Sequence, residues 1–528
     1  MKSTITSRAR LPLIAGGLAV LLFTAGCQTY QQQTTQFTSA TRSGSLATAI
    51  TTINKQADSH QGSKDEIVWR LEQGLSLRTG ALADAGEVAG LMPAPAPQND
   101  PASKDAPILP PPPPPTPDEV RVYFLEQSIV AFDQAEARVN HYEEEAKVKV
   151  GSEVGAAFTN QANLPYRGRA YDKVMMNAYK AMDYLQLGKK DDARVELNRS
   201  LQRQRDAVAD NEKRIAEAQN IAAQAKAGKV KTAEGKSAAY DTNKALNDAK
   251  TGPALQAALN ESLAPMKPYG DYVNPYAVFW DGLFFVNLGE NGSDWERARK
   301  SLERAAQIVP ENPYLKQDLD LATHVAEGKA PENLTYVIFE TGTGPARDQV
   351  QINIPTFLIG GGPAYVGAAF PKLKFNNDYI ASLAVSGGDQ TCSTSTIASM
   401  DSIVANDFKN EWPSVLTKTL VTTATKAITQ AVVEKTANNR GGMWGGLAAK
   451  VLMSAINAST NVADTRTWTS LPKEFQYARI TTPADRKLAL NAGGVAHTVD
   501  LVPGSVNIVY VKSTSTTAPL LVSQFALR

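Results

Sequence analysis

The chain has 528 residues, with 54 Lys and Arg against 53 Asp and Glu and only two Cys. So even a charge balance gives no global field to attract nucleic acid, and two thiols cannot make a disulfide framework. The length predicts two or three domains, stabilised by core burial.

The N-terminus carries Lys2, Arg8 and Arg10, an apolar run over 11–23, then Thr24, Ala25, Gly26 and Cys27. A basic start, a short apolar stretch and small residues before a cut describe a secretory signal over 1–26 rather than a spanning helix. Small residues before a Cys resemble the lipobox of bacterial lipoproteins, although the usual Leu three positions ahead is Thr24 here. That resemblance implies cleavage before Cys27, diacylglycerol on its sulfur and an acyl group on its amine. Several chains on one residue anchor firmly where one would be marginal. Gln28 in place of Asp implies outer-membrane sorting. Beyond the signal, no uncharged apolar stretch reaches the roughly 18–20 residues needed to span a bilayer.

Residues 27–64 are rich in Gln, Thr and Ser and read as an acylated tether or a first weak helix. A helical domain is expected over 65–330. Ile67, Leu71, Leu75 and Leu77 share a face beside Trp69, which predicts a helix from Asp65 to about Gly90. The Pro-rich segment 92–117, with prolines at 110–115, excludes helix and central strand and reads as a stiff loop. Helix resumes at Pro117, Asp118 and Glu119, residue types suited to a helix start, and runs to about Lys149.

Two segments then look alike: "YLQLGKKDDARVELNRSL" from Tyr184, and "WDGLFFVNLGENGSDWERARKSLERAAQIVPENP" from Trp280. Both resemble the tetratricopeptide repeat, a helix-turn-helix of about 34 residues. In the first, Tyr184, Gly188, Ala193 and Leu197 fall at packing and turn positions. In the second these are Gly282, Phe285, Gly289, Ala298, Ala305 and Pro310. Small residues let helices approach, Gly188 and Gly289 allow the turns, and Pro310 ends the second helix. The first copy lacks the terminal Pro, and the second carries about four extra residues, Asn291 to Asp294, in its turn. Between the copies, 203–250 reads as a Lys/Ala-rich solvated helical arm with a turn near Gly228 to Gly235. The helices at 65–90 and 118–149 read as a third copy, split by the proline loop.

From Pro331 the composition turns β-branched and aromatic. Strands are predicted at 334–339, 350–354, 379–385, 475–480, 487–490, 498–501, 506–511 and 520–525, arranged as an antiparallel sheet or sandwich. A helical insertion is expected over 397–460, with a stripe through Leu416, Leu420, Ala424, Ala427 and Ala431, then a second helix through Leu447, Val451 and Ile456. The fold class is therefore α+β: a helical repeat-like domain, then a mixed antiparallel β domain over 331–528.

No catalytic motif stands out. His60, His141, His324 and His497 are scattered without ligand spacing, and Cys392 lies in a Ser/Thr-rich loop. The glycines at 360–362 lack the Lys-Ser/Thr of a phosphate loop. Glu340 and Arg347 in "FETGTGPARDQ", with Asp464 and Arg466 in "ADTRTWTSLP", form the most pointed polar cluster, read as structural. No metal and no cofactor is implied.

Cys27, "NPYAVFWDGLFFVNLG" from Asn274, "VIFETGTGPARDQVQINIP" from Val337 and "DTRTWTSLP" from Asp464 together resemble a family of largely uncharacterised Gram-negative lipoproteins with tetratricopeptide repeats. The resemblance covers most of 27–510. It implies a lipid-anchored outer-membrane protein facing the periplasm, with envelope proteins and the membrane as partners and no nucleic acid. The leading expectation is a non-enzymatic scaffold. Alternatives are a membrane-active protein using the helical pair at 413–460, and an enzyme with a site around the C-terminal polar cluster.

Overall fold

The computed structural model describes residues 29–93, 113–148, 161–231, 237–267, 269–270, 272–329, 332–356, 365–427 and 462–528. Cys27, the glycines at 360–362, most of the Pro-rich segment and the second half of the helical insertion, 428–461, lie outside them.

The helical part opens with α1 (Tyr30–Arg42), α2 (Leu46–Ser59), α3 (Glu66–Gly80) and the single turn α4 (Ala85–Val88). The stretch read as an acylated tether or a first weak helix thus carries two helices in its described part. Its Thr, Gln and Ser residues face water or bond back to the helix, while Tyr30, Phe37, Ile50 and Ile53 bury against α3 and its neighbours. The helix predicted from Asp65 stops at Gly80, ten residues early. Next comes α5 (Pro117–Val148), which packs antiparallel on α3: Gly74 lies against Phe132 and Gly80 against Phe124.

Two hairpins follow. The first is α6 (Ala170–Gln186) with α7 (Lys190–Lys226). After the mini-hairpin β1 (Val230–Lys231)/β2 (Ser237–Ala238) and the helices α8 (Thr242–Leu246) and α9 (Thr251–Leu263), the second is α10 (Pro275–Leu288) with α11 (Gly292–Ile308). Then α12 (Pro313–Ala326) closes the array. Each pair packs on the next: α5 on α6, α10 on α6 and α7, α12 on α10 and α11. Gly188 turns the first hairpin at φ +72, a conformation that costs a residue with a Cβ. Asn274 and Asn291 cap α10 and α11 by accepting from the first free N–H groups. The residues Asn291 to Asp294, expected as extra turn, are instead the N-cap and first turn of α11. The arm at 203–250 differs in a related way. With no breaker before Gly228, α7 runs on for 37 residues, more than twice α11, so the hairpins are unequal.

The strands are β3 (Leu334–Thr341), β4 (Ala346–Pro355), β5 (Tyr365–Lys374), β6 (Ala384–Gly387), β7 (Gln390–Ser393), β8 (Ser395–Ser399), β9 (Glu474–Thr481), β10 (Lys487–Ala492), β11 (Val495–Asp500), β12 (Val506–Ser513) and β13 (Leu521–Ala526). They form a five-stranded sheet, β13-β12-β3-β9-β8, a four-stranded sheet, β11-β10-β6-β7, and the ribbon β4-β5. The larger sheet is mixed rather than antiparallel, because β3 and β12 pair in parallel. Both are buried along their whole length, as parallel strands covered on two faces are. The strand expected at 379–385 begins only at Ala384. Ahead of it, Ile380 bonds through both backbone groups to the Thr341 hydroxyl instead of a ladder. The insertion begins with β8, and its helix α13 spans 400–427.

One apolar core runs from Tyr30 to Leu527 and draws on both sides of the composition change at 331. The contact is aromatic. Tyr276 stacks on Phe475 at 3.8 Å, Phe279 meets Tyr477 at 4.5 Å and Tyr314 meets Tyr477 at 5.5 Å. The sheet therefore lies on α6, α10 and α12. Helix α10 is buried from Pro275 to Asn287, so its apolar residues are not confined to one stripe.

Candidate functional site

Helices α6 and α10, the first members of the two hairpins, face the sheet and leave no open surface there. Phe285, read as a packing residue, is fully buried, with the guanidinium groups of Arg194 and Arg297 over its ring at 5.0 and 4.1 Å. Tyr184 is half-buried; Ala193, Leu197, Ala298 and Ala305 are buried. A Cβ on Gly282 would lie 2.6 Å from Leu302, and one on Gly289 would lie 2.3 Å from the Phe285 carbonyl oxygen. Pro310 is exposed just past the end of α11.

An open surface lies between the second members, α7 and α11, where a groove of about 730 Å³ is lined by Asn198, Arg199, Gln202 and Arg205 on one wall and Glu296 and Lys300 on the other. These positions recur every three or four residues and so share one side of each helix. Its floor is closed by Asp281, which accepts from Arg297 Nη2 at 2.5 Å, Arg297 Nε at 3.1 Å and Ser301 at 2.7 Å.

The four polar residues singled out in the C-terminal half do not form one site. Glu340 belongs to a buried network where the sheet meets the helices. Lys512 Nζ lies 2.7 Å from Glu340 Oε2, the Tyr510 hydroxyl donates to Glu340 Oε1, and the Tyr276 and Tyr510 hydroxyls are 3.0 Å apart. Arg78 sits over the Tyr510 ring at 4.8 Å and pairs with Asp183, which also accepts from Ser128 at 2.8 Å. Burial raises the Glu340 pKa, but Lys512 and Arg78 outweigh it and hold the carboxyl below its ordinary value.

Arg347, Asp464 and Arg466 meet in a second network. Arg347 grips Glu411 through both terminal nitrogens at 2.7 and 3.1 Å. Arg169 joins the same carboxylate and reaches the Arg466 carbonyl at 3.3 Å. Arg466 holds Asp464 bidentately at 2.8 Å, and from its Nη1 donates to Asp65 and to the Leu164 carbonyl, each at 2.8 Å. Burial opposes ionisation of Glu411, but Arg169 and Arg347 keep it well below the carboxylate range. One turn earlier on α13, Asp407 is buried with neither oxygen hydrogen-bonded, and burial pushes its pKa up.

The "DTRTWTSLP" segment is a strap over the helical part. Trp468 is buried edge-on to Phe132 and Tyr179 at 5.7 and 5.9 Å. Glu72, on α3, accepts from Thr469 N and Oγ1 at 2.5 and 2.6 Å, from Ser470 N and Oγ at 3.1 and 2.5 Å, and from the Tyr30 hydroxyl at 3.2 Å. Sequence reading missed Glu72, Arg78, Asp183, Arg169 and Glu411. The signal available was a charged residue inside an otherwise apolar helical face, as at Glu72 and Arg78.

Cys392 is a half-buried free thiol whose pKa burial raises. His60 stacks on Trp69 at 5.0 Å. Among the described residues no cluster of His, Cys, Asp and Glu could hold a metal ion, and no helix is long and apolar enough to cross a membrane. No protein-family model, no curated protein and no solved structure matches this chain.

Proposed function

We propose that the protein is a non-enzymatic scaffold of the bacterial envelope, lipid-anchored at Cys27 in the outer membrane and facing the periplasm, whose repeat-like hairpins hold envelope proteins. The observation that carries this reading is the open groove between α7 and α11, two helices from successive hairpins. Stacked helical hairpins present extended surfaces of this kind to partners. Here the first-helix side is filled by the chain's own sheet, so the partner surface is the outer groove. The polar residues that an enzyme reading would use favour the scaffold instead. Glu340, Arg347, Asp464 and Arg466 are buried or nearly so, and each is engaged by oppositely charged neighbours.

The test is an in-cell crosslinking pull-down with the acylated protein, beside Cys27→Ser. Discrete envelope proteins recovered with the native chain and depleted with Cys27→Ser are the expected result. Recovery of lipid alone, or of the same background proteins from both, would sink the reading.

A further inference from the structure

We propose that the α7–α11 groove takes an extended, acidic segment of a partner protein. The inference rests on the scaffold reading and names the chemistry of its partner. The groove is open and has a volume of about 730 Å³, which suits a segment laid along it. Four cationic side chains line it, Arg199, Arg205, Arg297 and Lys300, against two carboxylates, Asp281 and Glu296. The whole chain is close to neutral, so this excess is local.

The use of each charge decides what remains for a partner. Arg297 is spent on Asp281. Arg199 is spent on Glu196 at 2.7 Å. Glu296 is held by Arg299 through both oxygens, at 2.8 and 2.7 Å. That leaves Arg205 on one wall, whose Nε and Nη2, among the described residues, bond to the neutral side-chain amide oxygen of Gln202 at 3.1 and 2.6 Å. On the other wall stands Lys300, exposed, with a single loose pairing to Glu296 at 3.7 Å. Two incompletely neutralised cations, one on each helix, thus line the groove, where carboxylates of a partner would neutralise them.

The remaining lining favours a peptide over a polyphosphate or a lipid surface. Asn198 offers both a donor and an acceptor, which match a peptide backbone; a phosphate only accepts.

The probe is a fluorescein-labelled peptide, Asp-Ser-Glu-Ala repeated to twelve residues, titrated by anisotropy onto the full chain in detergent. The expected result is saturable, salt-weakened binding. It falls at least tenfold with the Asn/Gln version of the peptide, and at least tenfold with the double variant Arg205→Glu, Lys300→Glu at an unchanged melting temperature. Lys316→Glu, on α12 away from the groove, should bind as the native chain does. Equal binding of both peptides, no loss in the double variant, or stronger binding of oligouridine or phosphatidylglycerol vesicles at the same groove would overturn the proposal. The in-cell crosslinks separate the two readings. Partners still recovered with the double variant leave the scaffold standing and remove the acidic-segment inference. Peptide binding with no crosslinked partner from the native chain removes the scaffold.

Discussion

At the scale of single residues, the buried charges hold the two compositional halves together. Glu72 is the clearest case. A carboxylate with no exposure would be costly alone, yet Thr469, Ser470 and Tyr30 supply donors to both of its oxygens. Burial still pushes its pKa up, against those hydrogen bonds. Replacing it with Ala strands buried backbone and hydroxyl donors of the strap, at about 1–3 kcal/mol for an unmet buried group. Glu72→Ala is therefore expected to lower unfolding stability by roughly 3 kcal/mol, and to loosen the strap enough that amide exchange at Thr469 and Ser470 rises. Exchange unchanged from the native protein would mean that Trp468 packing alone holds the strap. The loss should be smaller for Asp58→Ala. Asp58 is mostly exposed beside Arg70, and a pair with one end in water contributes little.

At the scale of elements, tight helix approach sets the hairpins, and Gly282 tests it. Gly to Ala inside a helix ordinarily gains about 0.5–1 kcal/mol. At Gly282, however, a Cβ would lie 2.6 Å from Leu302 Cγ and 3.3 Å from its backbone nitrogen, and overpacking of that kind costs about 1–3 kcal/mol. The cost should win, so Gly282→Ala is expected to destabilise by about 1 kcal/mol or more. Gly292→Ala, with nothing within 4 Å, should be neutral or slightly stabilising. A Gly282→Ala variant as stable as the native chain would show that α10 and α11 can separate freely. Periodicity made this scale the most legible. Apolar spacing and turn residues marked α5 to within a residue, and both hairpins, because one chemically distinct face repeats along a helix. Strands β3, β9, β10 and β12 were marked by alternation or by continuous β-branched runs. The ribbon partner β5 and the short strands β7 and β8 were not, since Gly, Pro, Ser and Thr hide the period. Over 27–64 the sequence left tether and weak helix both open, because Thr, Gln and Ser dilute the apolar spacing of Tyr30, Phe37, Ile50 and Ile53. The groove was invisible in the sequence, because its lining residues are not the packing and turn positions of the repeat-like segments; it exists only once an outside face of each helix is brought together.

At the scale of the whole molecule, the buried carboxylates set a pH optimum. Asp318 accepts from Tyr336 and Tyr477 at 2.9 and 2.8 Å, beside Arg479 at 3.2 Å, yet burial outweighs them and raises its pKa to about 6. Burial likewise raises Asp172 to about 6 against Tyr166 and the Arg169 amide, and Asp401 to about 6 against Lys473. Each of these groups binds a proton in the folded chain that the unfolded chain has already released. Their contribution is complete below the unfolded carboxylate pKa of about 4 and is lost as pH rises through 6. A second set works in the opposite sense. The Thr516 hydroxyl and amide, with Arg42, lower Asp378 to about 2, while Glu411, Glu340 and Asp464 are held low by their cationic partners. Their contribution is present above about pH 4 and is lost as pH falls through their folded values. The two sets together place the maximum at about pH 4–5. The unfolding midpoint should fall on both sides, levelling above about pH 7 where the first set is fully ionised. Thermal unfolding from pH 2.5 to 8.5, at constant ionic strength, measures this directly. A midpoint rising steadily to pH 8 would mean that the ion pairs outweigh burial at Asp172, Asp318 and Asp401, and that these three are charged throughout.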